Sequence, residues 1–278
     1  MKFVKMQGCG NDYIYVDCFF QKMPADPAAL AIRLSNRHFG IGADGLILIA
    51  HSQKADARMI MYNADGTESE MCGNGIRCVA KYVYDTGLKR SDSVSIETGA
   101  GIKEITVTAQ NAKAVSARVN MGPPILTPSD IPVLQDGQNI VDATLTVEER
   151  LFQFTAVSMG NPHCIIYVDD VKKIDIAHWG PKIEHHPLFP KRINVEFVQV
   201  VNTGEVIQRT WERGSGETLA CGTGASAVCV AGVLTGRTHE KMVNHLLGGD
   251  LLLEWESRES PVFMTGPCVE VFRGEVEI

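Results

Sequence analysis

The sequence is poor in the features that mark several large classes of protein. It has no surplus of positive charge: 26 Lys and Arg stand against 33 Asp and Glu, a formal net charge of −7. A surface for nucleic acid or an anionic membrane needs the opposite balance, so neither partner is expected. No apolar run approaches the ~20 residues of a membrane-spanning helix, and Met1-Lys2-Phe3-Val4-Lys5 lacks the apolar core and cleavage site of a signal peptide. The eight cysteines (9, 18, 72, 78, 164, 221, 229 and 268) include no Cys-x-x-Cys pair, so zinc-ribbon and thioredoxin-type readings have no support. Without export signals, reduced thiols in a cytoplasmic protein are expected rather than a disulfide framework. Low-complexity and linker segments are also missing.

What is present is a loop that occurs twice. Asp65-Gly66 … Met71-Cys72-Gly73-Asn74-Gly75 is echoed by Arg213-Gly214-Ser215-Gly216-Glu217-Thr218-Leu219-Ala220-Cys221-Gly222-Thr223-Gly224. Each Cys-Gly-x-Gly runs into a helical pattern: Ile76, Val79, Ala80 and Val83 up to Gly87, and Ala225, Val228, Cys229 and Gly232 up to Gly236. The two cysteines are 149 residues apart, and the same offset carries Asn63 onto Glu212 and Gly45 onto Asn194. An offset of 150 carries Gly10-Asn11-Asp12 onto Gly160-Asn161-Pro162. Four loops in register read as two structurally equivalent halves.

With 278 residues the chain can hold two domains, each with its own core. Strands are expected at 2–6, 13–17, 46–50, 58–62, 93–97, 103–108 and 114–120 in the first half. In the second half they are expected at 153–158, 164–168, 194–200 and 206–211, then as hairpins to the end. Asp26 as N-cap with Pro27 behind it opens a helix to about His38, and a short helix is expected near Ile174–Ile183. Gly40-Ile41-Gly42-Ala43-Asp44-Gly45 spells a dinucleotide fingerprint in the wrong context, after a helix and before a strand, and is set aside. Four prolines between Pro123 and Pro132 mark the domain boundary. The Cys221 helix, nearly all Ala, Val, Gly and Cys, suits burial on every side inside a sheet.

A cysteine at a helix start lies beside unpaired N–H groups and the positive end of the helix dipole, which is expected to lower its pKa from about 8.5. Two such thiols suggest general acid–base chemistry at one carbon. A thiolate removes a proton from one face, and a thiol returns one to the other, inverting the stereocentre. The helix N-termini would hold a carboxylate. The scheme requires no metal or other cofactor.

The two Cys loops, with Gly8-x-Gly10-Asn11-Asp12, Gly160-Asn161-Pro162-His163, Asn194-Val195-Glu196-Phe197 and Glu212-Arg213, resemble those of the diaminopimelate epimerase family over essentially the whole chain. The resemblance implies a PLP-independent isomerase that interconverts LL- and meso-2,6-diaminopimelate in lysine biosynthesis, acting as a cytoplasmic homodimer on a small-molecule substrate. It implies an α/β (α+β) fold of two pseudo-symmetric domains, 1–121 and 122–266. Each is a barrel-like, mostly antiparallel sheet around a central helix, with the final strand, 267–278, returning to the first. It makes Cys72 and Cys221 the bases, and Gly73, Asn74, Gly222 and Thr223 the donors to the reacting carboxylate. Asn11, Asn63, Asn161, Asn194, Glu212 and Arg213 bind substrate, and His163 and Glu212 assist the thiols. Arg213 suits a distal carboxylate and Glu212 a distal ammonium. Some members carry Gln where this chain has Gly45, so no contact is carried to that position.

Three other readings compete. Proline and hydroxyproline racemases share paired Cys-Gly motifs. A relative without catalysis could use the thiols as a redox switch, and a PhzF-type isomerase shares the fold without the cysteine pair. Among the remaining residues, Cys9, Cys18, Cys78, Cys164, Cys229 and Cys268 are read as structural, and His178, His185 and His186 as a solvated polar loop.

Overall fold

The computed structural model describes residues 1–277, which divide into two compact units. One is Met1–Asn120 with the described residues from Thr265 onward, the other Met121–Met264. No helix among the described residues is long and apolar enough to cross a membrane, and all eight cysteines are free thiols.

The first unit opens with an antiparallel pair, β1 (Lys2–Gly8) and β2 (Asn11–Asp17), joined by a tight turn in which Cys9 takes a positive φ of 54° and Gly10 one of 80°. Helix α1 (Pro27–Ser35) carries the chain over to β3 (Gly45–Ala50), which lies parallel to β2. The Asp26 carboxylate caps α1 as expected, but the helix stops at Ser35 rather than near His38. The Asn36 side chain accepts from the N–H groups of His38 and Phe39, turning the backbone out of the helix. Strands β4 (Ala57–Asn63) and β5 (Glu68–Ser69) lead into α2 (Gly73–Thr86). Then β6 (Ser93–Thr98), β7 (Gly101–Gln110) and β8 (Lys113–Gly122) continue the sheet, with β6 parallel to β4. Helix α2 packs on β1, β2, β4, β6 and β7. Gly87 ends it in the left-handed conformation, φ 81°, which only glycine adopts without strain.

The second unit repeats the order. Antiparallel β9 (Ile140–Val147), β10 (Arg150–Ser158) and β11 (Pro162–Tyr167) are followed by α3 (Ile176–Glu184), and β12 (Asn194–Asn202) then lies parallel to β11. Strands β13 (Glu205–Glu212) and β14 (Gly216–Thr218) lead into α4 (Gly222–Leu234). Strand β15 (Lys241–Leu246) runs parallel to β13 and antiparallel to β16 (Gly249–Glu254). Helix α4 packs on β10, β11, β12, β15 and β16, and ten of its thirteen residues are buried. β17 (Val262–Pro267) takes the chain out of this unit, and β18 (Val269–Glu275) pairs with β1 of the first.

The cores follow from these faces. Ile14, Val16, Leu46 and Leu48 pack against Leu30, Ala31 and Leu34 of α1. Phe152, Phe154, Val195 and Phe197 pack against Ile176 and Ile183 of α3. Strand β9 was not expected from the sequence, because the prolines before it read as an irregular boundary. The three histidines near α3 form no cluster. His178 lies in its first turn beside Lys182 and Glu148, while His185 and His186 contact the carbonyls of Pro181 and Thr146.

Candidate active site

Cys72 is the N-cap of α2, extended at φ −137° and ψ 118°, and its half-buried Sγ accepts from the Gly75 N–H at 3.3 Å. The thiol does the work that Ser or Asp usually does at this position. The Asn74 N–H also bonds the sulfur, and the Tyr13 hydroxyl reaches it from β2. The thiol itself donates to Asn11 Oδ1 at 3.3 Å. Asn11 is held in that orientation because its Nδ2 donates to Asp44 Oδ2 at 2.7 Å. Asp44 is bonded in turn to Arg37 at 2.9 Å, and Asp12 is paired with both Arg37 and buried Lys5.

One turn into α2, the fully buried Arg77 donates to the carbonyls of Gly73 at 3.2 Å and Pro267 at 3.2 Å, fixing a positive charge behind the cysteine. Gly73 and Asn74 are buried beside Cys72. Asn63 is bonded within its own turn instead, Nδ2 to Thr67 Oγ1 at 3.0 Å. Gly45 has to be glycine on this backbone, since an added Cβ would run into the Tyr62 carbonyl and lie 2.9 Å from the Tyr13 ring.

Cys221 is the N-cap of α4 and is 6% exposed. Its Sγ accepts from Gly224 N–H at 3.3 Å and lies 3.4 Å from Thr223 Oγ1. A chain of side chains continues from there. Asn161 Nδ2 donates to Thr223 Oγ1 at 3.2 Å, Asn161 Oδ1 meets His163 Nε2 at 3.0 Å, and His163 Nδ1 meets Glu196 Oε1 at 2.8 Å. His163 and Glu196 are both fully buried. Glu212 adds a second carboxylate bonded to the Cys221 thiol and accepts from Thr218 Oγ1 at 2.5 Å.

Asn194 and Arg213 are joined to each other. Asn194 Oδ1 accepts from the Arg213 N–H at 2.9 Å, its Nδ2 donates to the Pro162 carbonyl at 2.8 Å, and the exposed Arg213 guanidinium donates to the Lys191 carbonyl. Ligand atoms of His163, Glu196 and Cys221 lie within 4.8 Å of one another, a spacing that would also suit a thiophilic cation; the His163–Glu196 hydrogen bond engages two of them.

The expected lowering of the thiol pKa is overturned. Burial raises Cys72 above the ordinary thiol value, opposed by the N–H groups of Gly75 and Asn74, the Tyr13 hydroxyl and the Arg77 charge. Cys221 is pushed well above it by burial and by the charges of Glu212 and Glu196, against which Thr223 and Gly224 do less. Desolvation of a thiolate outweighs the helix N-terminus in both places. Burial also raises Glu196 and Glu212.

Three of these contributors carried no role in the sequence reading: Tyr13, Arg77 and Glu196. Glu196 left a signal, a charged residue inside the strand pattern Asn194-Val195-Glu196-Phe197-Val198 with apolar neighbours. Arg77 left one too, as a cation on the apolar side of a helix.

The fold is shared with solved structures of other proteins. A hydroxyproline epimerase from Agrobacterium vitis superposes with a TM-score of 0.68 at 18% identity, covering 99% of this chain and 90% of that one. A PhzF-family phenazine biosynthesis protein from Bacillus anthracis gives 0.71 at 16%, covering 100% and 99%. At those identities the likeness concerns the fold alone. The family model for diaminopimelate epimerase matches residues 3–127 and 155–271. The diaminopimelate epimerase of Agathobacter rectalis is 52% identical over 285 residues, and that of Methanococcus maripaludis 50% over 278, each alignment covering 100% of both chains. The chain belongs to the diaminopimelate epimerase family.

Proposed function

We propose that the protein interconverts LL- and meso-2,6-diaminopimelate, with Cys72 and Cys221 as the two bases. The observation that carries this reading is the duplicated loop. In a chain of this family, each loop ends in a thiol at a helix N-cap with backbone N–H groups turned onto the sulfur. The thiolate of one cysteine takes the α-proton and becomes a thiol; the thiol of the other gives its proton to the opposite face and becomes the thiolate. The stereocentre inverts, and the enzyme ends with its charge on the other sulfur.

N–H groups at Gly73, Asn74, Gly222 and Thr223 stabilise the charge that develops on the reacting carboxylate. Asn11 and Asn161 position the reacting end, His163 and Glu212 support the thiols, and Asn63, Asn194, Glu212 and Arg213 select the distal amino-acid end. Because burial disfavours both thiolates in the unliganded protein, ionisation follows docking, when the substrate ammonium brings a positive charge to the sulfurs. The halves 1–121 and 122–266 act as the two catalytic domains, with 267–278 completing the first. The protein works in the cytoplasm as a homodimer that neither nucleic acid nor membrane assists.

The test is epimerisation of pure LL-diaminopimelate in deuterated water, with proline as the control substrate. At early times, product carrying deuterium at the inverted carbon beside unlabelled recovered substrate is expected. Turnover of proline in place of diaminopimelate, or largely unlabelled product, defeats the reading.

A further inference from the structure

We propose that Glu196 is a positioning residue for this reaction, acting through His163 to fix the ring and hold a proton on its Nδ1. The inference rests on the reading of Cys221 as one of the two bases and adds a residue to which that reading gives no task.

Glu196 sits in the middle of β12 and is fully buried, a position where an ionisable side chain is rare unless partnered. Oε1 makes its hydrogen bond to His163 Nδ1 at 2.8 Å, while Oε2 is buried and has no hydrogen-bond partner among the described residues. A carboxyl group that leaves one oxygen unsatisfied is a poor device for stability, because replacing it by an uncharged group of the same shape should be neutral or better. Its placement is nonetheless tightly specified. A Cβ at Gly224, the residue whose N–H bonds Cys221, would lie 2.6 Å from Oε1, so a side chain there would have to displace the carboxylate.

Asn161 Oδ1 only accepts, so Nε2 carries a proton towards it, and the Glu196 carboxylate, also an acceptor, holds a second proton on Nδ1. Asn161 in turn meets Thr223, and Thr223 lies against the Cys221 sulfur. The chain therefore starts and ends at the thiol, since Glu196 is itself within 4.8 Å of Cys221 and His163. With the ring held this way, the proton on Nε2 meets Asn161 Oδ1, which leaves Asn161 Nδ2 to donate to Thr223 and so sets the polarity of Thr223 towards sulfur. The titratable groups facing this position are His163 on β11, Glu212 on β13, Cys164 on β11 and Cys221 at the start of α4.

Glu196→Gln separates positioning from structure. Gln keeps the shape but can also donate, so it permits an Nδ1 that carries no proton, much as amide replacement of a buried aspartate changes the ring in hydrolase triads. Expected are an unchanged or slightly higher melting temperature and an unchanged KM for diaminopimelate. The kcat should fall roughly ten- to a hundredfold, and the His163 ring nitrogens should change their 15N chemical shifts from the Nδ1–H pattern. Wild-type kcat with wild-type His163 shifts overturns the proposal. So does a loss of activity that tracks loss of folded protein with unmoved ring shifts. The protons on the ring are read without substrate, so inactivity of the wild-type protein towards diaminopimelate defeats the functional reading and leaves the histidine measurement to stand by itself.

Discussion

The two cysteine loops share a backbone and differ in the charges around it. Strand registers make Tyr13 and Gly45 a facing pair in one unit, and His163 and Asn194 the matching pair in the other. Ile47 and Glu196 correspond in the same way, each lying where a Cβ on the third residue of the helix would strike it, at Gly75 and at Gly224. Arg77 and Ser226 correspond as well, each donating to the carbonyl of the first residue of its helix. Around Cys72 the substitutions leave a phenol, an alkyl group and a buried cation; around Cys221 they leave an imidazole and two carboxylates. The cation favours a thiolate at Cys72 and the carboxylates oppose one at Cys221. A duplicated scaffold can thus fix where two sulfurs stand while letting each half tune its own proton affinity. That suits a reaction in which one sulfur must be charged and the other not.

The comparison breaks most visibly at the cysteines. Cys72→Ala and Cys221→Ala should each lower epimerisation by roughly 10³-fold or more with circular dichroism unchanged; comparable turnover by either single variant would end the two-base assignment. Next comes the cation. Arg77→Met removes the guanidinium hydrogen bonds to the carbonyls of Gly73 and Pro267, and should destabilise the protein by about 1–3 kcal/mol in urea unfolding. Ser226→Ala should stay at or below about 1.5 kcal/mol; equal losses would show that Arg77 is no more than a helix brace.

A smaller effect is expected from glycine. Gly75→Ala presses on the flexible end of Ile47, whereas Gly224→Ala presses on a carboxylate held by His163. The second should therefore lose more kcat than the first, and the reverse order would remove Glu196 from the argument. The smallest difference is in labelling. Across a pH series, iodoacetamide with peptide mass mapping should modify Cys72 at lower pH than Cys221, and coincident curves would deny the asymmetry.

Much of this was legible in the sequence. The period of Ile76, Val79, Ala80 and Val83 with Gly87 behind them places α2 to within a residue at its end, and the spacing of the two Cys-Gly-x-Gly words places the pair of helix caps. Interactions that depend on distant neighbours were not legible. A pattern centred on Cys72 reports the N–H groups of its own helix but says nothing of how deeply the sulfur is covered. The sign of its pKa shift was therefore misread. Asn63 and Glu212 occupy matching positions, yet one bonds within its turn and the other reaches the thiol. Repetition fixes location, and the environment decides use.

The pairing of β18 with β1 also bears on how the chain is made. The unit that begins with Met1 takes up the chain again from Thr265, so the second unit is an insertion between two parts of the first. On a ribosome adding about 5–20 residues per second, the inner unit can close before the outer one has received its last strand. Until then β1 exposes an unpaired edge, the kind of surface that recruits other chains. A pulse-labelled synthesis should find the region around Cys221 protected from protease earlier than the region around Cys72, although the latter is translated first.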